Sequence, residues 1–107
     1  MQRAAFHILV ALADQDRHGY AIMQDVASRT DGQLKLSPGT LYGSIKRLLE
    51  AGLIVEIDEP RGRSADDERR RYYRITRFGR EVARAEADRL IELLRQARAV
   101  GLVEKRV

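Results

Sequence analysis

At 107 residues the chain has room for one small domain and at most one additional helix. It has no cysteine, which excludes disulfides and thiolate sites, and no apolar run near the roughly 20 residues of a membrane span. The net charge of +4 and pI near 9.8 permit a nucleic-acid partner without requiring one. With no signal-peptide pattern at its start, the protein is expected in the cytoplasm.

Residues 2–13 form a first predicted helix with two apolar stripes. Ala5, Ile8, Leu9 and Leu12 make one, and Phe6, Val10 and Ala13 the other. A helix that is apolar on two sides packs on two sides. In so small a domain the second stripe must meet another helix of the chain or a partner subunit. Asp14 to His18 reads as a polar turn.

The second predicted helix runs from Gly19 to Thr30, with Tyr20, Ile22, Met23, Val26 and Ala27 inward. At its start His18-Gly19-Tyr20 supplies a cap, a close backbone approach and a core-edge aromatic; the alternative is that Tyr20 or His18 touches phosphate. Asp31-Gly32 is a turn signal. Leu34-Lys35-Leu36 alternates and reads as a very short strand.

The third predicted helix spans Ser37 to Gly52, and both its ends are written in the chain. Ser37 is a good N-cap, Pro38 fits the first helical position, and Gly52 suits the left-handed residue beyond the C-terminus. Leu41, Ile45, Leu48 and Leu49 share one face. The other face carries Gly39, Thr40, Gly43, Arg47 and Glu50, with Tyr42 and Lys46 on one shoulder and Ser44 on the other. Each interior glycine costs about 1 kcal/mol relative to alanine, and a merely solvated face would carry Glu, Lys or Gln. Small residues beside hydroxyls, a tyrosine and two cations suit close approach to an anionic surface such as a DNA groove. Two helices joined by a short turn make a helix-turn-helix whose second helix reads the groove.

Leu53 to Asp58 alternates, placing Leu53, Val55 and Ile57 on one side. Arg71 to Thr76 alternates again, with Tyr73 and Ile75 opposed to Tyr72 and Arg74. Period two on both sides of a polar loop predicts an antiparallel hairpin, the wing of a winged helix. The loop's Arg61 and Arg63, shaped by Pro60 and Gly62, are the leading phosphate candidates, ahead of Arg69, Arg70 and Arg71. Asp66, Asp67 and Glu68 oppose them.

Thr76 is the expected N-cap of a last helix reaching about Ala99, with Gly101 ending its regularity. Ala83, Ala87, Leu90, Leu94 and Ala97 form a heptad seam, widened by Val82, Ile91 and Leu93. A seam that outlasts its domain predicts packing on the same helix of a second subunit. The expected interface is therefore Ala83, Ala87, Leu90, Ile91, Leu94 and Ala97. The fold class is mostly α with a small β-hairpin. A winged helix-turn-helix occupies residues 1–76 and a C-terminal dimerisation helix residues 77–107.

Ser37-Pro38-Gly39-Thr40-Leu41-Tyr42, continuing to Arg47-Leu48 and Gly52-Leu53-Ile54, resembles the recognition helix of PadR-family winged-helix transcriptional regulators. His18-Gly19-Tyr20 upstream, and Arg71-Tyr72-Tyr73-Arg74-Ile75-Thr76 with Gly79 downstream, extend the likeness over nearly the whole chain. The resemblance implies a homodimeric, sequence-specific regulator of the short subfamily, acting as a repressor on a palindromic operator in double-stranded DNA. Its DNA contacts would come from Ser37, Pro38, Gly39, Thr40, Tyr42, Gly43, Ser44, Lys46, Arg47, Arg61 and Arg63. It also implies release by a small apolar or aromatic effector. Some short relatives hold planar ligands between tryptophans, and this chain has no Trp.

Catalysis is not expected. His7 and His18 stand at no metal-ligand spacing, Gly39 and Gly43 match no phosphate loop, and no cofactor or metal is implied. His7 falls on the polar side of its helix and reads as solvated. Two competitors remain: another winged-helix regulator such as a MarR-like protein, and a winged-helix interaction module that does not bind DNA. The second follows from residues 1–57, where cations and acids balance.

Overall fold

Among the described residues apolar periodicity of 3.6 yields four helices, and a small antiparallel sheet joins them. The computed structural model describes residues 1–58 and 71–104. In chain order they form α1 (Arg3–Asp14), β1 (Arg17–His18), α2 (Gly19–Arg29), α3 (Pro38–Glu50), β2 (Ile54–Ile57), β3 (Tyr72–Ile75) and α4 (Arg77–Ala99). This is a mostly helical winged helix-turn-helix with a sheet in the order β1-β3-β2.

The core gathers one stripe from each element. Ile8, Leu9 and Leu12 of α1 meet Ile22 and Val26 of α2, and Leu41, Ile45 and Leu48 of α3, with Ile54, Tyr73 and Ile75 closing the sheet side. The second stripe of α1 turns toward α4. Phe6, Val10 and Ala13 face Ala83 and Ala87 across an open groove of about 330 Å³. Arg17 and Arg80 donate to the carbonyls of Ala11 and Ala13, at 3.0 and 3.2 Å, and so satisfy the C-terminal end of α1.

Four expectations about the strands are corrected by the structure. Leu34 to Leu36 is not a strand; Thr30 Oγ1 accepts from Leu34 N at 3.0 Å and holds an irregular link, while Leu36 is buried. The third strand lies instead in the supposed polar turn, where Arg17 pairs with Tyr73 and His18 with Tyr72. Two residues cannot display a period, so only β3 reveals this strand. In β2 the inward residue is Ile54 rather than Val55, because Leu53 still belongs to the turn leaving α3 and donates to Leu48 O at 3.0 Å. Tyr72 is buried as well as Tyr73, since the His18 ring stands edge-on to it at 5.2 Å.

α4 is anchored at its start. Thr76 Oγ1 accepts from Gly79 N at 2.9 Å and donates to Gly52 O at 2.8 Å, tying the cap to the end of α3. Gly79 is buried, and a Cβ there would collide with the Leu53 carbonyl oxygen and lie 2.9 Å from Ile75 Cγ1. Gly79→Ala is therefore expected to destabilise by about 1–3 kcal/mol, the usual cost of overpacking. That corresponds to roughly 4–8 °C of melting temperature per kcal/mol in a domain of this size. Thermal melts followed by circular dichroism measure it, and an unchanged midpoint would show that α4 is not seated at this point.

Beyond Leu90, which still lines a pocket with Phe6 and His7, α4 runs on with its side chains mostly exposed, and the molecule reaches 56 Å along one axis against 28 and 26 Å along the others. His7 is half-buried beside α4 rather than solvated, and burial, with Arg3 alongside, lowers its pKa. Among the described residues no helix is long and apolar enough to cross a membrane.

Candidate nucleic-acid interface

The exposed surface of α3 is set by its start. Ser37 Oγ accepts from Thr40 N at 3.1 Å and Pro38 occupies the first turn, as the sequence predicts. From this cap Leu41, Ile45 and Leu48 point into the core. Ser37, Pro38, Gly39, Thr40, Tyr42, Lys46 and Arg47 are all exposed, and Gly43 lies half-buried among them. The fold thus brings most of the predicted DNA-binding residues onto one surface.

Ser44 departs from this set. It is 1% exposed, so it cannot serve on an outward face. Three residues after Leu41 and four before Leu48, it falls on the buried stripe, where α1 packs against α3. Arg47 also differs from expectation. Its Nη2 donates to Ser44 Oγ and to Gln2 Oε1, both at 3.3 Å, which turns the guanidinium toward the start of α1. Lys46 is the other cation of α3 and stands exposed, one turn beyond Tyr42. Arg61 and Arg63, with Arg69 and Arg70, lie outside the described residues.

Tyr42 is 51% exposed, yet its position is fixed. Its ring and hydroxyl both lie against the backbone of Gly19, where a Cβ would collide with the Tyr42 hydroxyl oxygen and sit 2.9 Å from Tyr42 Cζ. Glycine at 19 therefore permits α2 and α3 to meet through this tyrosine. His18 caps α2, its Nδ1 accepting from Ala21 N at 3.1 Å. Two of the three roles read for His18-Gly19-Tyr20 are present, the cap and the close approach. The third is not: Tyr20 is 57% exposed rather than at the core edge. One residue turns an α-helix by about 100°, enough to carry position 20 off the buried stripe of Gly19, Ile22 and Val26.

The electrostatics of this surface favour an anion. Neither α2 nor α3 has an acidic residue in its first turn, where the helix dipole is positive. Several nearby arginines are engaged internally instead. Arg17 pairs with Asp14 and Asp25 at 2.8 and 3.1 Å, Arg29 with Asp25 at 2.6 Å, and Arg74 with Asp16 at 2.7 Å. These pairs hold α2 and β1 against α1 and β3. Burial, with Glu56 adding to it, raises the Tyr73 hydroxyl above the usual phenol range.

A second surface lies on α4. Ala83 packs partly against its own core, and Ala87 lines the groove facing α1. Leu90, Ile91 and Leu94 are then exposed, as is Leu93 beside them, while Ala97 is half-buried. The charged side of the helix is occupied by i,i+3 pairs, Glu86–Arg89 and Glu92–Arg95, each at 2.7 Å. No group of three His, Cys, Asp or Glu that could hold a metal occurs among the described residues.

The family model described as the transcriptional regulator PadR-like family matches residues 8–85. The chain is 37% identical over 97 residues to the transcriptional regulator Rv3488 of Mycobacterium tuberculosis, covering 89% of this chain and 84% of that protein. It is 34% identical over 73 residues to an uncharacterised protein of Lysinibacillus sphaericus, covering 68% of this chain and 64% of that protein's length. Among solved structures, a transcriptional regulator from Clostridium thermocellum superposes with a TM-score of 0.77 at 26% identity, over 94% of this chain and 90% of that one. PadR of Bacillus subtilis, solved in complex with operator DNA, superposes with a TM-score of 0.68 at 18% identity, over 81% of this chain and 48% of that chain. At that identity the likeness is one of fold.

Proposed function

The chain belongs to the PadR-like family of transcriptional regulators, and from that premise we propose a cytoplasmic, homodimeric repressor that binds a palindromic operator in double-stranded DNA. The observation that carries this reading is the acid-free start of α3, with Ser37, Pro38, Gly39, Thr40, Tyr42 and Lys46 exposed together. The complex of Bacillus subtilis PadR with operator DNA supports the same use of the fold. In this reading the N-terminal half of α3 enters the major groove. The two half-sites then lie about 34–36 Å apart, one turn of DNA. Arg61 and Arg63 of the wing contribute phosphate contacts. Residues 1–76 form the DNA-binding unit, residues 77–107 the dimerisation helix, and the apolar groove between α1 and α4 has a size suited to a small effector.

Titrating labelled genomic fragments protected by the protein, and scrambled duplex, at two salt concentrations tests the reading. A regulator binds its operator more tightly at both. The competing reading, an interaction module without DNA affinity, is favoured by the formal neutrality of residues 1–57 and requires no duplex binding even at low salt.

Tyr42→Phe probes the same surface while keeping the ring on Gly19. Loss of the hydroxyl is expected to weaken DNA binding by about 0.5–1.5 kcal/mol per subunit, the net worth of one hydrogen bond, with little change in melting temperature. Unaltered affinity would place that hydroxyl away from the DNA.

A further inference from the structure

We propose that Tyr20 is a second tyrosine contact to the DNA backbone, made from α2 rather than from the groove-reading helix; this rests on the DNA-binding reading above. The chain has four tyrosines, and the structure sorts them into two pairs. Tyr72 and Tyr73 are buried in β3, while Tyr20 and Tyr42 stand 57% and 51% exposed. The exposed pair is not scattered. Tyr42 rests on Gly19, the residue immediately before Tyr20, so both phenols stand beside the junction where α2 begins and α3 crosses it.

The backbone under Tyr20 is held from several directions. His18 Nδ1 accepts from Ala21 N at 3.1 Å, and the His18 ring stands edge-on to Tyr72 at 5.2 Å. Further along α2, Asp25 receives Arg17 at 3.1 Å and Arg29 at 2.6 Å. An exposed aromatic on so fixed a turn is presented at small entropic cost, since only its two χ angles are free. Side chains of a helix lean toward its N-terminus, which tilts the Tyr20 ring toward the start of α2, whose first turn carries no acid.

Phosphate is the group that fits. When the second helix of a helix-turn-helix lies in the major groove, the first crosses the backbone, so a side chain at the start of α2 is placed for strand rather than base edges. A tyrosine hydroxyl is among the donors that bind phosphate oxygens. Such a contact fixes how α2, and through Tyr42 α3, sits on the duplex. It carries no sequence information of its own.

The test uses the full chain with Tyr20→Phe, with Lys46→Ala for comparison, titrated against a protected genomic fragment and scrambled duplex over a series of salt concentrations. A backbone contact by an uncharged donor predicts a loss of about 3- to 10-fold per half-site, equal on both duplexes. The slope of log K against log salt should not change, because a phenol displaces no counterion. Lys46→Ala should reduce that slope by about 1 for each phosphate the lysine neutralises. The melting temperature of Tyr20→Phe should match the parent. The proposal is overturned if Tyr20→Phe binds like the parent, if its loss is confined to the operator, or if its melting temperature falls. A parent chain that binds neither duplex at low salt removes the DNA-binding reading itself and this proposal with it, so the two failures are distinct.

Discussion

Leu90→Lys combined with Leu94→Lys is expected to leave a folded monomer whose operator affinity is lower by roughly 10²–10⁴-fold, the range that joining two binding modules supplies. Both leucines are exposed in the single chain, at 38% and 41%, so the substitutions remove nothing from the domain's own core. In the proposed dimer they would place two like charges per subunit on the seam, facing two more across a shared axis. An isologous interface repeats every substitution, and buried unpaired lysines are not tolerated there. With the dimer lost, each half-site must be held by one subunit alone. Light scattering reports the mass and titration the affinity. A double variant that remains dimeric would remove α4 from the interface.

Gly43→Glu should abolish operator binding while leaving the fold intact or slightly more stable. A Cβ at residue 43 meets only Arg47 Nη1, at 3.7 Å, an ordinary contact. Replacing a helical glycine relieves about 1 kcal/mol of backbone cost, and the new carboxylate lies one turn before Arg47, where an i,i+4 pair adds a few tenths more. In the proposed complex the same carboxylate would stand at the closest approach of α3 to the DNA, and it would draw Arg47 toward itself. Stability and binding are therefore expected to move in opposite directions, which distinguishes a reading surface from a merely structural one. Titration shows the loss of binding and a thermal melt the retained fold. Normal binding by Gly43→Glu would mean that the wing, rather than α3, reads the operator.

Much of this surface was legible along the chain. Ser37, Pro38 and Gly52 mark the ends of α3 by requirements that act within one turn: a side-chain acceptor for orphan amides, a ring that needs no donor, a backbone at φ +77°. Thr76 marks the start of α4 in the same way. The apolar period of 3.6 identified the centres of the buried faces of α1 and α3, because the middle of a stripe is set by spacing. The motif residues Ser37 to Tyr42 carried the family resemblance, and the family model bears that out.

Other features were settled only when distant elements met. β1 exists because β3 lies beside Arg17 and His18, and two residues carry no period of their own. Ile54 rather than Val55 turns inward because the bond from Leu53 N to Leu48 O sets the phase in which β2 leaves α3. Ser44 and Tyr20 stand at the edges of apolar stripes, where a rotation of about 100° per residue leaves either side open. Ser44 is covered, its hydroxyl accepting from Arg47, whereas Tyr20 is left 57% exposed. Caps, glycine conformations and periodicity are local energies and can be read from a few neighbouring residues. The side taken by a residue at the edge of a stripe depends on what packs there, and the chain brings such partners from far along its length, as Arg80 and Ala13 meet across 67 residues.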